Sequence, residues 1–168
     1  SLKKKLKGTC PMSQIDVKKQ VDHVFSIANS LRGTYQADKY KDVIIPMTII
    51  RRLECALEET KDAVCTVYEQ DDSTPDAILK QVSGYPFYNT SRYTLEKLLA
   101  EPAQLHRNLK TYLEAFSPNI RIILDKNEGL DFFTQIDKMH NGSRLTGVVR
   151  KFSELDLAPE RINNVAMG

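Results

Sequence analysis

The sequence predicts an all-α fold, an irregular multi-helix bundle gathered around one central apolar helix, and three observations carry that expectation. The first is the run from Asn29 to Leu57, a polar, glycine-broken turn followed by Val43, Ile44, Ile45, Met47, Ile49, Ile50, Leu53, Ala56 and Leu57. A helix at a protein surface carries a single apolar stripe, whereas this segment leaves little polar face until Arg51 and Arg52, so it has to be surrounded. The second is helical spacing elsewhere, clearest in Leu105, Leu109, Tyr112, Leu113 and Phe116. The third is composition: 168 residues, 41% apolar and 27% charged, suit one globular domain with a real core and exclude disordered and collagen-like chains. No apolar run approaches the roughly 18 residues of a membrane span, and the chain is expected to be soluble and cytoplasmic.

Residues 1–14, beginning SLKKKLKGTCPM, read as a basic lead-in outside the packed domain, either frayed or not native to the chain. Their apolar content is too small for a secretory signal. The single helical domain is expected over 15–168. Its first helix starts at Ile15 or Asp16 and runs to about Leu31, with Val17, Val21, Val24, Ala28 and Leu31 on one face. Gly33 supplies the stop, residues 34–37 turn, and Asp38 is placed to cap the next helix. Pro46 removes a backbone donor there, so it either kinks the helix or marks its first turn; a kink is expected, with the helix continuing to about Tyr68.

An acidic loop, Gln70 to Pro75, precedes a short helix from Pro75 to Val82. The aromatic, turn-forming stretch Gly84 to Tyr93 reads as an irregular excursion or a small hairpin near residues 85–93. Helices follow at Thr94–Ala100, Pro102–Phe116, Asn119–Leu124 and Asp131–Met139, the last closed by Asn141-Gly142. Leu145, Val148, Val149, Phe152 and Leu155 mark another amphipathic helix, and a final one begins at Leu157-Ala158-Pro159-Glu160. Its apolar face, Ile162, Val165 and Ala166, stops too early to be well buried, which suggests a fragment of a longer protein. No internal repeat points to a solenoid.

Cys10, Cys55 and Cys65 form no CxxC pair, and His23, His106 and His140 lack ligand spacing, so no zinc site is expected. Cys55 and Cys65, placed on one helix, would stand about 15 Å apart by helical rise, too far for a disulfide. Free thiols suit a reducing compartment. The net charge of +2 is unevenly spread. Lysines dominate 1–20, acids dominate 54–76 against Lys61 alone, and 139–153 hold Arg144, Arg150 and Lys151 with no acid. That polarity fits contact with a polyanion on one side, or ordinary solvated faces.

Signatures of catalysis are missing: no G-x-G-x-x-G, no G-x-x-x-x-G-K-[ST], no H-E-x-x-H and no G-x-S-x-G occurs. Gly142 to Gly147 has Walker-like glycine spacing but no lysine to reach a phosphate, so it reads as the start of a helix. The acids of 54–62 and 70–76 read as solvated faces and not as acid/base dyads. His140 is either a phosphate contact or a cation favourable to the end of its helix. Tyr85, Phe87, Tyr88 and Tyr93, with Arg92, either stack bases or form a satellite core under a long loop.

Leu31-Arg32-Gly33, Tyr40-Lys41 and the run Ile44-Ile45-Pro46-Met47-Thr48-Ile49-Ile50-Arg51-Arg52-Leu53 together resemble the N-terminal helical domain of the modification subunit of type I restriction-modification systems, the adenine-specific DNA methyltransferases. Phe132-Phe133, Ile136-Asp137, Leu145, Val148, Phe152 and Leu155-Asp156-Leu157 extend the resemblance in the same order. Such subunits bind S-adenosylmethionine through an aromatic- and glycine-containing loop and grip a flipped adenine with an Asn-Pro-Pro-aromatic motif. Neither motif occurs here; Ser117-Pro118-Asn119 and Tyr85-Pro86-Phe87 are the nearest approaches. The resemblance therefore implies a non-catalytic domain with no cofactor of its own, S-adenosylmethionine belonging to the missing C-terminal methyltransferase domain. The implied partners are that domain, the specificity and restriction subunits, and double-stranded DNA held weakly and without sequence preference; no membrane is involved. Lys41, Arg51, Arg52, Arg144, Arg150 and Lys151 are the candidates for DNA-backbone contact. Arg51 and Arg52 have an alternative in pairing with Glu54, Glu58 or Glu59. The rival for the whole domain is a helical protein-protein interaction module with no DNA contact.

Overall fold

Gly33 ends the first helix as expected, taking a positive φ of 88° that a side chain would oppose. The computed structural model describes residues 22, 25–127 and 129–155. The lead-in 1–14, most of the first helix and the helix expected from Leu157 lie outside the described residues. Helix α1 is described through 25–30 and buries Ile27. Its closing turn buries Leu31, whose carbonyl accepts from the Thr34 and Tyr35 amides.

A 3-10 turn, Ala37–Lys39, runs directly into α2, Lys41–Leu57. Asp38 lies inside that turn and does not cap α2; the cap position falls to Tyr40, itself helical, whose carbonyl accepts from the Val43 and Ile44 amides. The 3-10 turn thus does the work expected of a side-chain cap. Pro46 sits in the second turn and the helix continues through it, with the ring buried in the core. Val43, Met47 and Ile50 are fully buried, as a central helix requires. The enclosure is incomplete all the same, since Lys41, Ile45 and Arg52 are exposed.

The helix expected to reach Tyr68 stops at Leu57. Residues 58–60 turn, and α3 spans Lys61–Gln70. Thr60 makes this break comprehensible: its hydroxyl donates to the Ser83 carbonyl at 2.9 Å, holding the corner against the end of α4, Asp76–Ser83. The bond joins residues 23 apart in sequence, so it fixes the corner from outside the helix. Helices α3 and α4 then pair around a small second cluster of Val64, Leu79 and Tyr88. Cys55 and Cys65 consequently lie on different helices, each buried and free of a disulfide.

Residues 84–93 form neither helix nor hairpin. A single antiparallel bridge joins Asn89 to Phe116, and three buried polar side chains satisfy much of the surrounding backbone. Ser83 Oγ donates to the Phe87 carbonyl at 2.8 Å, Asn89 Nδ2 donates to the Tyr112 carbonyl at 3.0 Å, and Ser117 Oγ accepts from the Tyr88 amide at 3.3 Å. Such bonds replace the ladder that a hairpin would have needed. Beyond this stretch come α5 (Leu95–Leu98), α6 (Leu105–Glu114), α7 (Pro118–Leu124), α8 (Phe132–Asn141) and α9 (Leu145–Ser153). Leu109, Leu113, Phe132, Ile136, Val148 and Phe152 close the main core on α2. Among the described residues no helix is long and apolar enough to cross a membrane.

Among the described residues one charged side chain is buried. Glu54 is only 7% exposed, and its carboxylate accepts from Arg51 Nη1 at 2.6 Å, the Leu95 amide at 2.8 Å and the Tyr112 hydroxyl at 2.7 Å. Complete burial holds the Tyr112 phenol well above its ordinary range, with the Glu54 charge acting in the same direction, so the hydroxyl remains a donor. Arg51 Nε donates in addition to the Leu155 carbonyl at 2.6 Å. Glu54→Ala is expected to destabilise the fold by about 3 kcal/mol in urea denaturation, because it leaves the Arg51 charge, a phenol and an amide without their acceptor. Glu54→Gln retains one acceptor oxygen and should lose less; equal stability of Glu54→Ala and the parent chain would refute this account.

Candidate nucleic-acid interface

The structure divides the six basic candidates into two sets. Arg51 is half-buried and bound to Glu54 and Leu155, which realises the alternative of pairing near its own helix. Arg144 lies at the start of α9 and reaches back to the glycine turn, donating from Nη2 to the Arg32 carbonyl at 3.1 Å and from Nε to Thr34 Oγ1 at 3.4 Å. Lys151 Nζ donates to the Ser26 hydroxyl at 2.6 Å and its carbonyl at 3.0 Å, tying α9 to α1. These three bind chain segments together.

Lys41, Arg52 and Arg150 form the other set. All are exposed, and their side chains make no hydrogen bond or ion pair among the described residues. Lys41 opens α2 and Arg52 follows near its end, while Arg150 stands on the outer side of α9, opposite the buried Val148, Val149 and Phe152. An unpaired surface cation retains its full capacity for a phosphate.

The aromatic stretch is a packed element. Tyr88 belongs to the second cluster and donates to Asp76 at 2.7 Å; burial, helped by that carboxylate, pushes its phenol up to about 12. Tyr85 and Phe87 stack at 5.2 Å and lie half-buried against the main core. Arg92 is held by Glu69 at 2.8 Å and Asp62 at 3.1 Å. The four aromatics therefore divide between the two clusters, Tyr88 in the small one and Tyr85, Phe87 and Tyr93 against the main core, and do not form one satellite core.

Two features escaped the sequence. Glu54 groups in sequence with the solvated acids, yet it follows the phase of Met47, Ile50 and Leu57, the buried face of α2; helical phase is the signal that marks it. His140 does lie in the last turn of α8, but it is not alone: its ring stacks on His106 with centroids 4.1 Å apart and planes 2° from parallel. His106 Nε2 and Lys110 Nζ both stand 2.6 Å from one oxygen of Asp137. No sequence signal joins His106 to His140, because the contact is made between helices.

Gly142 caps α8 where an added Cβ would lie 2.7 Å from the Thr34 hydroxyl, and Gly147 is inside α9. Between α6, α7 and α8 a shallow depression of about 370 Å³ is lined by Glu114, Pro118, Arg121, Ile122, Asp125 and Phe133.

Hydrogen bonds from Lys110 and His106 hold the Asp137 carboxyl below its ordinary range. A folded value below the unfolded one stabilises the fold above the ordinary carboxylate value of about 4, and the contribution is lost as pH falls through the folded value. Thermal midpoints measured from pH 7 down to 3 should therefore fall less steeply for Asp137→Asn than for the parent chain. Parallel curves would remove this ion cluster from the stability balance.

Residues 20–152 match the family described as HsdM N-terminal domain. No curated protein and no solved structure matches the chain. Leu31-Arg32-Gly33 and the whole of α2 fall within the matched span, which covers most of the sequence. The glycine turn stapled by Arg144 and the central apolar helix are thus features of a chain that belongs to the HsdM N-terminal domain family, the N-terminal domain of the modification subunit of type I restriction-modification systems.

Proposed function

We propose that this is a non-catalytic domain that helps the modification subunit to assemble and to close around DNA, with adenine N6-methylation carried out by a separate methyltransferase domain of the same subunit. The observation that carries the reading is the family match over 20–152. S-adenosylmethionine belongs to that other domain, and no step of methyl transfer falls to the residues described here. Specificity and restriction subunits are the assembly partners, and the cytoplasm is the compartment. Sequence reading belongs to the specificity subunit, so this domain's share of DNA contact is with the backbone, through exposed cations such as Lys41, Arg52 and Arg150.

A second reading, a protein-interaction module that never touches DNA, draws on the depression beside α7, which is lined in part by Ile122, 49% exposed, and Phe133. Exposed apolar side chains beside a concavity suit a protein surface.

Fluorescence anisotropy with a duplex oligonucleotide separates the two. Under the first reading the 168-residue chain binds weakly, and its affinity falls steeply between about 50 and 200 mM salt as counterions are released. A salt-independent association would count against phosphate contact, and an assembled complex whose DNA affinity ignores these cations favours the second reading. In calorimetry the chain should give no heat with S-adenosylmethionine; micromolar binding would end the non-catalytic reading.

A further inference from the structure

Lys41 and Arg52 are eleven residues apart in α2. Eleven residues make about three helical turns, so the two side chains leave the helix within about 20° of each other and their Cα atoms lie about 16 Å apart. Both are exposed and unbonded among the described residues. Between them on the same stripe come Ile45, 47% exposed, and Thr48, whose hydroxyl is turned inward to the Ile44 carbonyl at 2.6 Å. No acid stands on the stripe between Lys41 and Arg52; exposed acids flank it at Asp38 before its start and at Glu58 and Glu59 past its end, and the half-buried Asp42 lies about 100° round the helix from Lys41. Some surface cations of this chain sit on carboxylates, as Lys80 does on Asp76 and Lys110 on Asp137. Neither Lys41 nor Arg52 is held in such a pair among the described residues.

The geometry points to this stripe as a ridge that lies across one groove of duplex DNA, with Lys41 and Arg52 each meeting a phosphate on a different strand. The inference rests on the reading that the domain closes on DNA and specifies the surface that does so. The major groove is about 12 Å wide. Two long side chains whose origins are about 16 Å apart bracket that opening without any rearrangement of the helix. A duplex also presents phosphates at about one charge per 1.7 Å of axis, so rigidly spaced cations find partners on it readily. An acidic protein would need two carboxylates placed at a matching separation. Ile45 and Thr48 between the cations bring no charge that would oppose the approach.

The test is the salt dependence of duplex binding by the 168-residue chain, compared with Lys41→Gln/Arg52→Gln. Each phosphate contact contributes about 0.9 to the slope of log affinity against log salt, so the double variant should lose about 1.8 in slope. Its far-UV circular dichroism should be unchanged, since neither side chain is bonded within the fold. Should the double variant fold poorly, Lys41→Met and Arg52→Met taken singly should each lower the slope by about 0.9. An unchanged slope overturns the assignment of this ridge while leaving the DNA reading standing. Loss of binding to the specificity subunit with DNA affinity intact would make the ridge a protein contact and overturn it too. A parent chain with no duplex affinity at any salt would sink both this inference and the reading beneath it.

Discussion

The buried carboxylate of Glu54 holds together elements that the chain keeps far apart. A carboxylate out of water is costly unless it is fully paired and hydrogen-bonded. Here the donors come from three places: Arg51 one turn back on α2, the Leu95 amide at the start of α5, and the Tyr112 hydroxyl on α6. Because Arg51 also binds the Leu155 carbonyl, the same charge reaches the segment that follows α9. Apolar contacts between these helices tolerate some sliding, whereas three directed bonds to one group admit little. The position of α5, only four residues long and unable to hold itself, follows from this constraint.

A similar logic governs the rest of the cations. The Leu31-Arg32-Gly33 turn is stapled by Arg144 across the chain, and Lys151 ties α9 to α1 through Ser26. Arg92 fastens the irregular stretch to α3, although as an exposed set of ion pairs it adds little stability. Basic residues that look equivalent in sequence therefore divide by whether a helix neighbour supplies an acceptor. Those without one, Lys41, Arg52 and Arg150, stay exposed at the surface. The corner at 58–60 has a related effect on the acids: it swings α3 and α4 into a small lobe of their own, carrying the acidic turn 71–76 away from the central helix.

Helix periodicity by itself determined the fold class, the central place of α2, the stop at Gly33 and the apolar faces of α6, α8 and α9, because each depends on residues within a few positions of one another. The resemblance to the modification-subunit domain rested on equally local motifs, and the family match agrees with it. Tertiary structure alone decided the corner at Thr60, the absence of a hairpin among residues 84–93, the stack of His106 on His140 and the burial of Glu54. It also decided which of the six basic candidates are spoken for. Each of these outcomes turns on a partner 23 or more residues away, as with Thr60 and Ser83 or Arg51 and Leu155. A sequence pattern records the character of a face, and only packing supplies the group that meets it.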